Sequence, residues 1–162
     1  MTVETLGKFI TFPVVSVTGK VIDLFDIGVA HDNIVAVTGL DGFSKNVAEG
    51  GKSAVHFKAD TGLRPIISTA TVEEILEHLD TTTFIMYDVV SVTDGPDGKK
   101  YEERFTSYTD ADQIVGVNDL SGTTQQVTDD VKSIIYFKPS SALRPTLSSE
   151  EAAKIIDRVN EV

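Results

Sequence analysis

The chain offers few side chains from which a reaction could be built. None of its 162 residues is cysteine, which removes disulfides, thiolate nucleophiles and cysteine-ligated zinc. The histidines are His31, His56 and His78. A zinc site or an acid–base dyad needs imidazoles that converge with carboxylates. Nothing in this spacing brings them together, so ordinary surface or half-buried histidines are expected. Glu49-Gly50-Gly51-Lys52-Ser53 looks like the end of a phosphate-binding loop. That motif needs a glycine at position 46, where Asn46 stands, and a helix after the serine. Here a strand-like stretch follows, so a hairpin turn is expected. Asp94-Gly95-Pro96-Asp97-Gly98 is acidic and glycine-rich, as calcium loops are. With only Glu102 and Glu103 beyond it, and Lys99 and Lys100 between, it lacks the oxygen set a hard cation requires. It reads as a solvated hairpin tip. Serine and threonine are plentiful, but none sits in a nucleophile-elbow pattern. The expectation is a protein without catalytic activity, cofactor or metal.

Two basic pairs remain, Lys58 with Arg64 and Lys138 with Arg144. Each pair flanks a turn, Ala59 to Gly62 or Pro139 to Ala142, and each arginine precedes a proline, Pro65 or Pro145. A basic element kept twice on an acidic chain suits docking to an acidic partner or a neighbouring subunit. The alternative is that each arginine ties its own turn to a nearby carboxylate, such as Asp32 or Asp112. Lys58, Arg64, Lys138 and Arg144 are therefore the candidate protein-contact residues.

These pairs belong to a larger repetition. Val14-Val15-Ser16-Val17-Thr18 recurs as Val89-Val90-Ser91-Val92-Thr93, a shift of seventy-five. After the next turn the shift is eighty: Phe25 matches Phe105, Ile34 matches Ile114, and Val37 matches Val117. Lys52-Ser53-Ala54-Val55-His56-Phe57-Lys58 then matches Lys132-Ser133-Ile134-Ile135-Tyr136-Phe137-Lys138, and Leu63-Arg64-Pro65 matches Leu143-Arg144-Pro145. The five extra residues lie at the second hairpin tip, where insertions are tolerated. A tandem duplication is expected, with modules over 1–83 and 84–162.

The elements that must position these residues follow from periodicity. Phe12–Thr18 and Val21–Phe25 alternate about Gly19 and read as a hairpin. Ile34–Leu40 reads as a third strand ending at Asp41-Gly42, a turn signal. Ser44–Val47, Ser53–Lys58 and Leu63–Ser68 read as three more. Val72, Ile75, Leu76 and Leu79 then fall on one helical face, with Thr71 and Glu74 as a capping box, which predicts a helix near 71–79. The second module repeats this with Ser148 and Glu151 as the box and Ala152, Ile155, Ile156 and Val159 as the stripe, a helix near 149–159. The predicted fold is mainly β (α+β): two tandem bent-sheet or barrel-like modules, each closed by a C-terminal helix. The predicted core is Val15, Val17, Phe25, Ile34, Val37, Val55, Phe57, Ile75 and Leu79. In the second module it is Val90, Val92, Phe105, Ile114, Val117, Ile135, Phe137, Ile155 and Val159.

Charge narrows the partners. With 25 acidic and 14 basic residues the net charge is −11, which repels nucleic acid and anionic membrane. No run approaches the ~20 apolar residues of a membrane helix, and Met1–Ile10, with Glu4 and Lys8, does not read as a signal peptide. A virion or a host cytoplasm is the expected location.

The alternating hairpin, the Ile34-x-x-Val37 strand, the Ser53-x-Val55-x-Phe57 and Ser133-x-Ile135-x-Phe137 strands and the Thr71-x-x-Glu74 helix start together resemble small barrel proteins of bacteriophages. Duplicated, such proteins look like virion accessory or capsid-decorating components. The resemblance implies a structural protein, attached to capsid or tail proteins or to itself, and brings no catalytic residues. A rival reading is an acidic inhibitor that mimics nucleic acid. That requires carboxylates ranked on one face, whereas the charge is evenly spread: five basic and ten acidic residues over 12–80, eight and fourteen over 87–162. A site at the junction of the copies is a third reading, because junction sites leave no local motif.

Overall fold

A computed structural model describes residues 2–18, 20–40, 50–94, 97–120 and 130–162. The turns at Gly19 and Asp41-Gly42, the strand expected at Ser44–Val47, Glu49 and part of the Asp94–Gly98 tip lie outside the described residues. The protein is mainly β. Its strands are β1 (Glu4–Leu6), β2 (Phe9–Thr18), β3 (Val21–Ala30), β4 (Ile34–Gly39), β5 (Ser53–Phe57) and β6 (Ile66–Ser68), followed by helix α1 (Val72–His78). After it come β7 (Phe84–Asp94), β8 (Lys100–Asp110), β9 (Ile114–Asp119), β10 (Ser133–Phe137), β11 (Thr146–Ser148) and helix α2 (Ala152–Glu161).

All the strands join one antiparallel sheet. Its order is β3-β2-β6-β5-β4 and then β8-β7-β11-β10-β9, with β1 beside the start of β2. The two halves meet where Ala36, Val37 and Thr38 of β4 pair with Thr109, Tyr108 and Ser107 of β8. Barrel-like closure is not what forms: among the described residues the sheet stays open, with β3 paired only to β2 and β9 only to β10. The reason is that β4 gives its second edge to β8 rather than returning to β3.

Registers agree between the halves. Ser53 pairs with Ser68 and Ala54 with Ile67, as Ser133 pairs with Ser148 and Ile134 with Leu147. Four buried serine hydroxyls pin the same joints. Ser53 Oγ donates to the Ala70 carbonyl and Ser133 Oγ to that of Glu150, both at 2.8 Å. Ser68 Oγ donates to the Pro13 carbonyl and Ser148 Oγ to that of Asp88, both at 2.5 Å. A buried hydroxyl left without a partner is costly, so these bonds fix the strand-to-helix corner.

Helix α1 starts as its sequence predicts, with Thr71 Oγ1 accepting from the Glu74 backbone N–H at 3.1 Å. The second box is a correction. Ser148 ends β11 and its hydroxyl is engaged by Asp88 and by the Glu150 N–H, so α2 begins at Ala152 behind Glu151, without a side-chain cap. The sixth strand also starts later than Leu63. Gly62 is left-handed at φ 72° and Pro65 has no N–H, so pairing begins at Ile66.

The first core gathers Ile10, Phe12, Val14, Ile34, Val37, Val55, Phe57 and Ile75, and Phe84 and Tyr108 from the second half pack against it. The second gathers Ile85, Tyr87, Val89, Ile135 and Ile155, with Phe105, Ile114, Val117, Phe137 and Val159 half-buried around it. Val15 and Leu79 are buried as expected, as is Val90 in a third, smaller cluster, while Val92 is half-buried. Val17 and Phe25 are exposed, against expectation, and Ile156, which belongs to the helical stripe but not to the predicted core, is exposed too. Val17 and Phe25 lie on the β2–β3 hairpin, whose outer strand pairs only with β2 among the described residues, and Ile156 lies on a face of α2 left open by the described residues.

Candidate functional site

The seam between the halves is the candidate site. A cavity of about 310 Å³ opens there, with Ala36 and Thr38 of β4 and Ser107 and Thr109 of β8 among its walls. Strand alternation explains why these four share a face: they sit two apart on neighbouring strands, so their side chains point the same way. Tyr87 reaches in from β7, and its hydroxyl hydrogen-bonds Thr109 Oγ1 at 2.9 Å, which hydrogen-bonds Ser107 Oγ at 2.8 Å. Burial pushes the Tyr87 phenol above its ordinary pKa, so it stays protonated. His56, on β5, also lines the cavity, and burial lowers its pKa to about 4, leaving it neutral at pH 7. Val89, Phe105 and Phe137 supply apolar wall.

The Leu-Arg-Pro turns form the rim. Thr61 Oγ1 donates to the Lys58 carbonyl and Ser141 Oγ to that of Lys138, each at 2.7 Å. The backbone N–H groups of Leu63 and Leu143 donate back to those hydroxyls at 3.1 and 3.0 Å. Each turn is thus closed by one hydroxyl, and the two turns lie against each other across the seam. Pro65 and Arg144 line the cavity. Arg64, Arg144 and Lys138 are exposed, and Lys58 is half-buried with its N–H bonded to the Asn33 carbonyl. Neither Arg64 nor Arg144 pairs with Asp32 or Asp112 among the described residues. The arginines that do form ion pairs are Arg104, with Glu102 and Asp130, and Arg158, whose fork grips both oxygens of Glu150. Arg158 also donates to the Met86 carbonyl at 2.9 Å, which ties α2 to β7. It holds the Glu150 carboxyl below the usual range.

The remaining candidates scatter. Ser53, the last residue of the loop-like motif, opens strand β5 and spends its hydroxyl on Ala70, so no phosphate cradle forms at a helix start. His78 Nδ1 bonds Thr5 Oγ1 at 3.1 Å on the far side of α1. Both ring nitrogens of His31 are buried without a partner among the described residues. No group of three or more His, Asp or Glu is placed among the described residues to hold a metal ion. The described cavity walls combine the hydroxyls of Thr38, Tyr87, Ser107 and Thr109 with the apolar side chains of Val89, Phe105 and Phe137, an arrangement that suits a small, largely apolar group carrying one hydrogen-bonding atom.

Sequence reasoning missed Tyr87, Ser107 and Thr109. Their signal was the inward alternation Ile85-x-Tyr87-x-Val89 opposite Ser107-x-Thr109, where hydroxyls stand at positions matching Ile27 and Val29. It also missed the exposed apolar run Val21-Ile22-x-Leu24-Phe25, which breaks strand alternation. Comparison with protein-family models, curated proteins and solved structures returned no match. Among the described residues no helix is long and apolar enough to cross a membrane.

Proposed function

We propose that the chain is two copies of one β–helix module serving as a non-enzymatic structural protein that attaches to a larger protein assembly. A phage-type virion component, decorating a capsid or acting as an accessory, is the form of that role we favour. The matching registers and the matching serine bonds support the duplication. One observation carries the attachment: the β2–β3 hairpin exposes Val17, Ile22 and Leu24 on one face and Val21 and Phe25 on the other, beside a strand edge left unpaired among the described residues. Soluble monomers seldom leave such a patch uncovered, and an unpaired edge invites a further strand. The partner in this reading is protein, with no role for nucleic acid or membrane.

The test is co-sedimentation with particles purified from producing cells. The wild-type chain should appear at fixed stoichiometry, and Leu24→Glu should abolish incorporation while leaving the thermal melt unchanged. Particles that never contain the chain would refute the reading.

A further inference from the structure

Among the described residues the outer edges of β3 and β9 are unpaired, and the seam inside the chain is a precedent for covering them. Position for position, β4 and β9 share a sequence pattern, a bulge and an inner neighbour. They differ on their outer side, where β4 has β8 and β9 has nothing among the described residues. Burial follows that difference. Val35 on β4 is 0% exposed, and Val115 at the same place on β9 is 60% exposed. Leu76 of α1 is packed in its core, whereas its counterpart Ile156 of α2 is 41% exposed. The other end of the molecule carries the complement. Strand β3 stands where β8 stands in the second half, and its outer edge is unpaired among the described residues. Phe84 packs across the seam into the first core, while its counterpart Phe9 is 51% exposed.

We propose that copies of this chain associate head to tail, with β9 of one copy pairing antiparallel with β3 of the next and so repeating the β4–β8 seam between molecules. This deepens the structural reading above, on which it rests, by naming a second copy as the partner of the hairpin edge. The seam's register transfers directly. Ala36–Thr109, Val37–Tyr108 and Thr38–Ser107 become Gly116 opposite Val29, Val117 opposite Gly28 and Asn118 opposite Ile27. The contact supplies backbone hydrogen bonds to both unpaired edges and covers Val115, Ile156, Phe9 and Phe25. Because the two edges differ, the contact is heterologous. Copies joined through it form a ring if the rotation closes and a filament if it does not.

Sedimentation velocity of the purified full chain over a concentration series tests this. Wild type should form species larger than one chain. Val115→Asp and Phe25→Asp alter exposed side chains on opposite edges, and each should stay monomeric. A carboxylate buried there without a partner weakens the contact by about tenfold or more. An equimolar mixture of the two variants retains one sound β9 edge and one sound β3 edge. It should therefore form a two-chain species and nothing larger. Wild type that stays monomeric, single variants that assemble like wild type, or a mixture that stays monomeric would each overturn the proposal. Particle incorporation separates the two readings. If the chain alone is monomeric while wild type enters particles and Leu24→Glu does not, the head-to-tail contact fails and attachment stands. If chains form but particles never contain them, attachment fails and the contact stands.

Discussion

At the level of single residues, the two halves act as controls for each other. Gly62 and Ala142 occupy the same turn with φ of 72° and 60°. A left-handed backbone is free for glycine but crowds an alanine Cβ against the carbonyl. Ala142→Gly should therefore stabilise the fold by about 1 kcal/mol, measured by urea denaturation, and Gly62→Ala should destabilise it similarly. His56 gives a pH signature. Its folded pKa of about 4 lies below the ordinary 6.5 because burial disfavours the imidazolium. Between those values the unfolded chain binds more protons, so stability rises with pH across the window and is lost as pH falls from 6.5 towards 4. The share of stability involved is up to about 3 kcal/mol. His56→Gln should flatten that part of the stability–pH curve, and an unchanged slope would show that the imidazole is solvated. Phe57, fully enclosed, should cost about 3–5 kcal/mol on replacement by Ala, and the half-buried Phe137 less.

At the level of elements, the strands and helices were legible where one local rule decided them. Alternation placed β2, β4, β5, β7 and β10, and the 3.6-residue stripe placed both helices. Thr71 capped α1 as read, and Thr71→Ala should lower stability by about 1 kcal/mol in a thermal or chemical melt. Legibility ended where a residue's neighbour came from far along the chain. Ser148-x-x-Glu151 has the letters of a capping box, yet Ser148 is held by Asp88, sixty residues earlier. Phe25 has the alternation of a core residue, but β3 is an outermost strand, and periodicity does not say which strand lies outermost. The cavity at the seam was invisible for the same reason, since Ala36, Tyr87 and Thr109 are adjacent only after β4 has met β8. Gly28 carries a related consequence. Tyr108, its counterpart, packs across the seam into the first core. Among the described residues, a Cβ added at Gly28 would meet Thr11 Cγ2 at 3.5 Å, an ordinary contact. Gly28→Tyr should restore that packing between copies and shift self-association to lower concentration. Association unchanged or weakened would argue that β3 does not occupy the place of β8.

At the level of the whole molecule, charge and apolar surface act in opposite senses, and salt separates them. Each chain carries a net −11, so any contact between copies works against long-range repulsion. The proposed contact adds a local term. Asp119 stands where Gly39 stands in the first half, and a Cβ at Gly39 would lie 3.8 Å from the Phe105 Cβ and 3.9 Å from the Thr106 carbonyl. Between copies the corresponding neighbours of Asp119 are the Phe25 side chain and the Asp26 carbonyl oxygen, so its carboxylate is brought against an apolar ring and the negative end of a carbonyl dipole. The attraction comes from apolar burial and edge hydrogen bonds, which salt screens little. Repulsion between exposed charges falls as the screening length shrinks from about 30 Å at 0.01 M to about 8 Å at 0.15 M salt. Head-to-tail association should therefore strengthen with added salt, and Asp119→Asn should strengthen it at low salt and reduce the salt dependence. Docking through the exposed Arg64 and Arg144 to an acidic partner has the opposite sign, because salt screens an attraction there. A partner contact that weakens with salt and is lost in Arg64→Ala or Arg144→Ala at an unchanged melt belongs to the Leu-Arg-Pro rim. One that strengthens with salt and is lost in Val115→Asp belongs to the sheet edges. Self-association that weakens steeply with salt would exclude the edge-to-edge contact, whatever the arginines do.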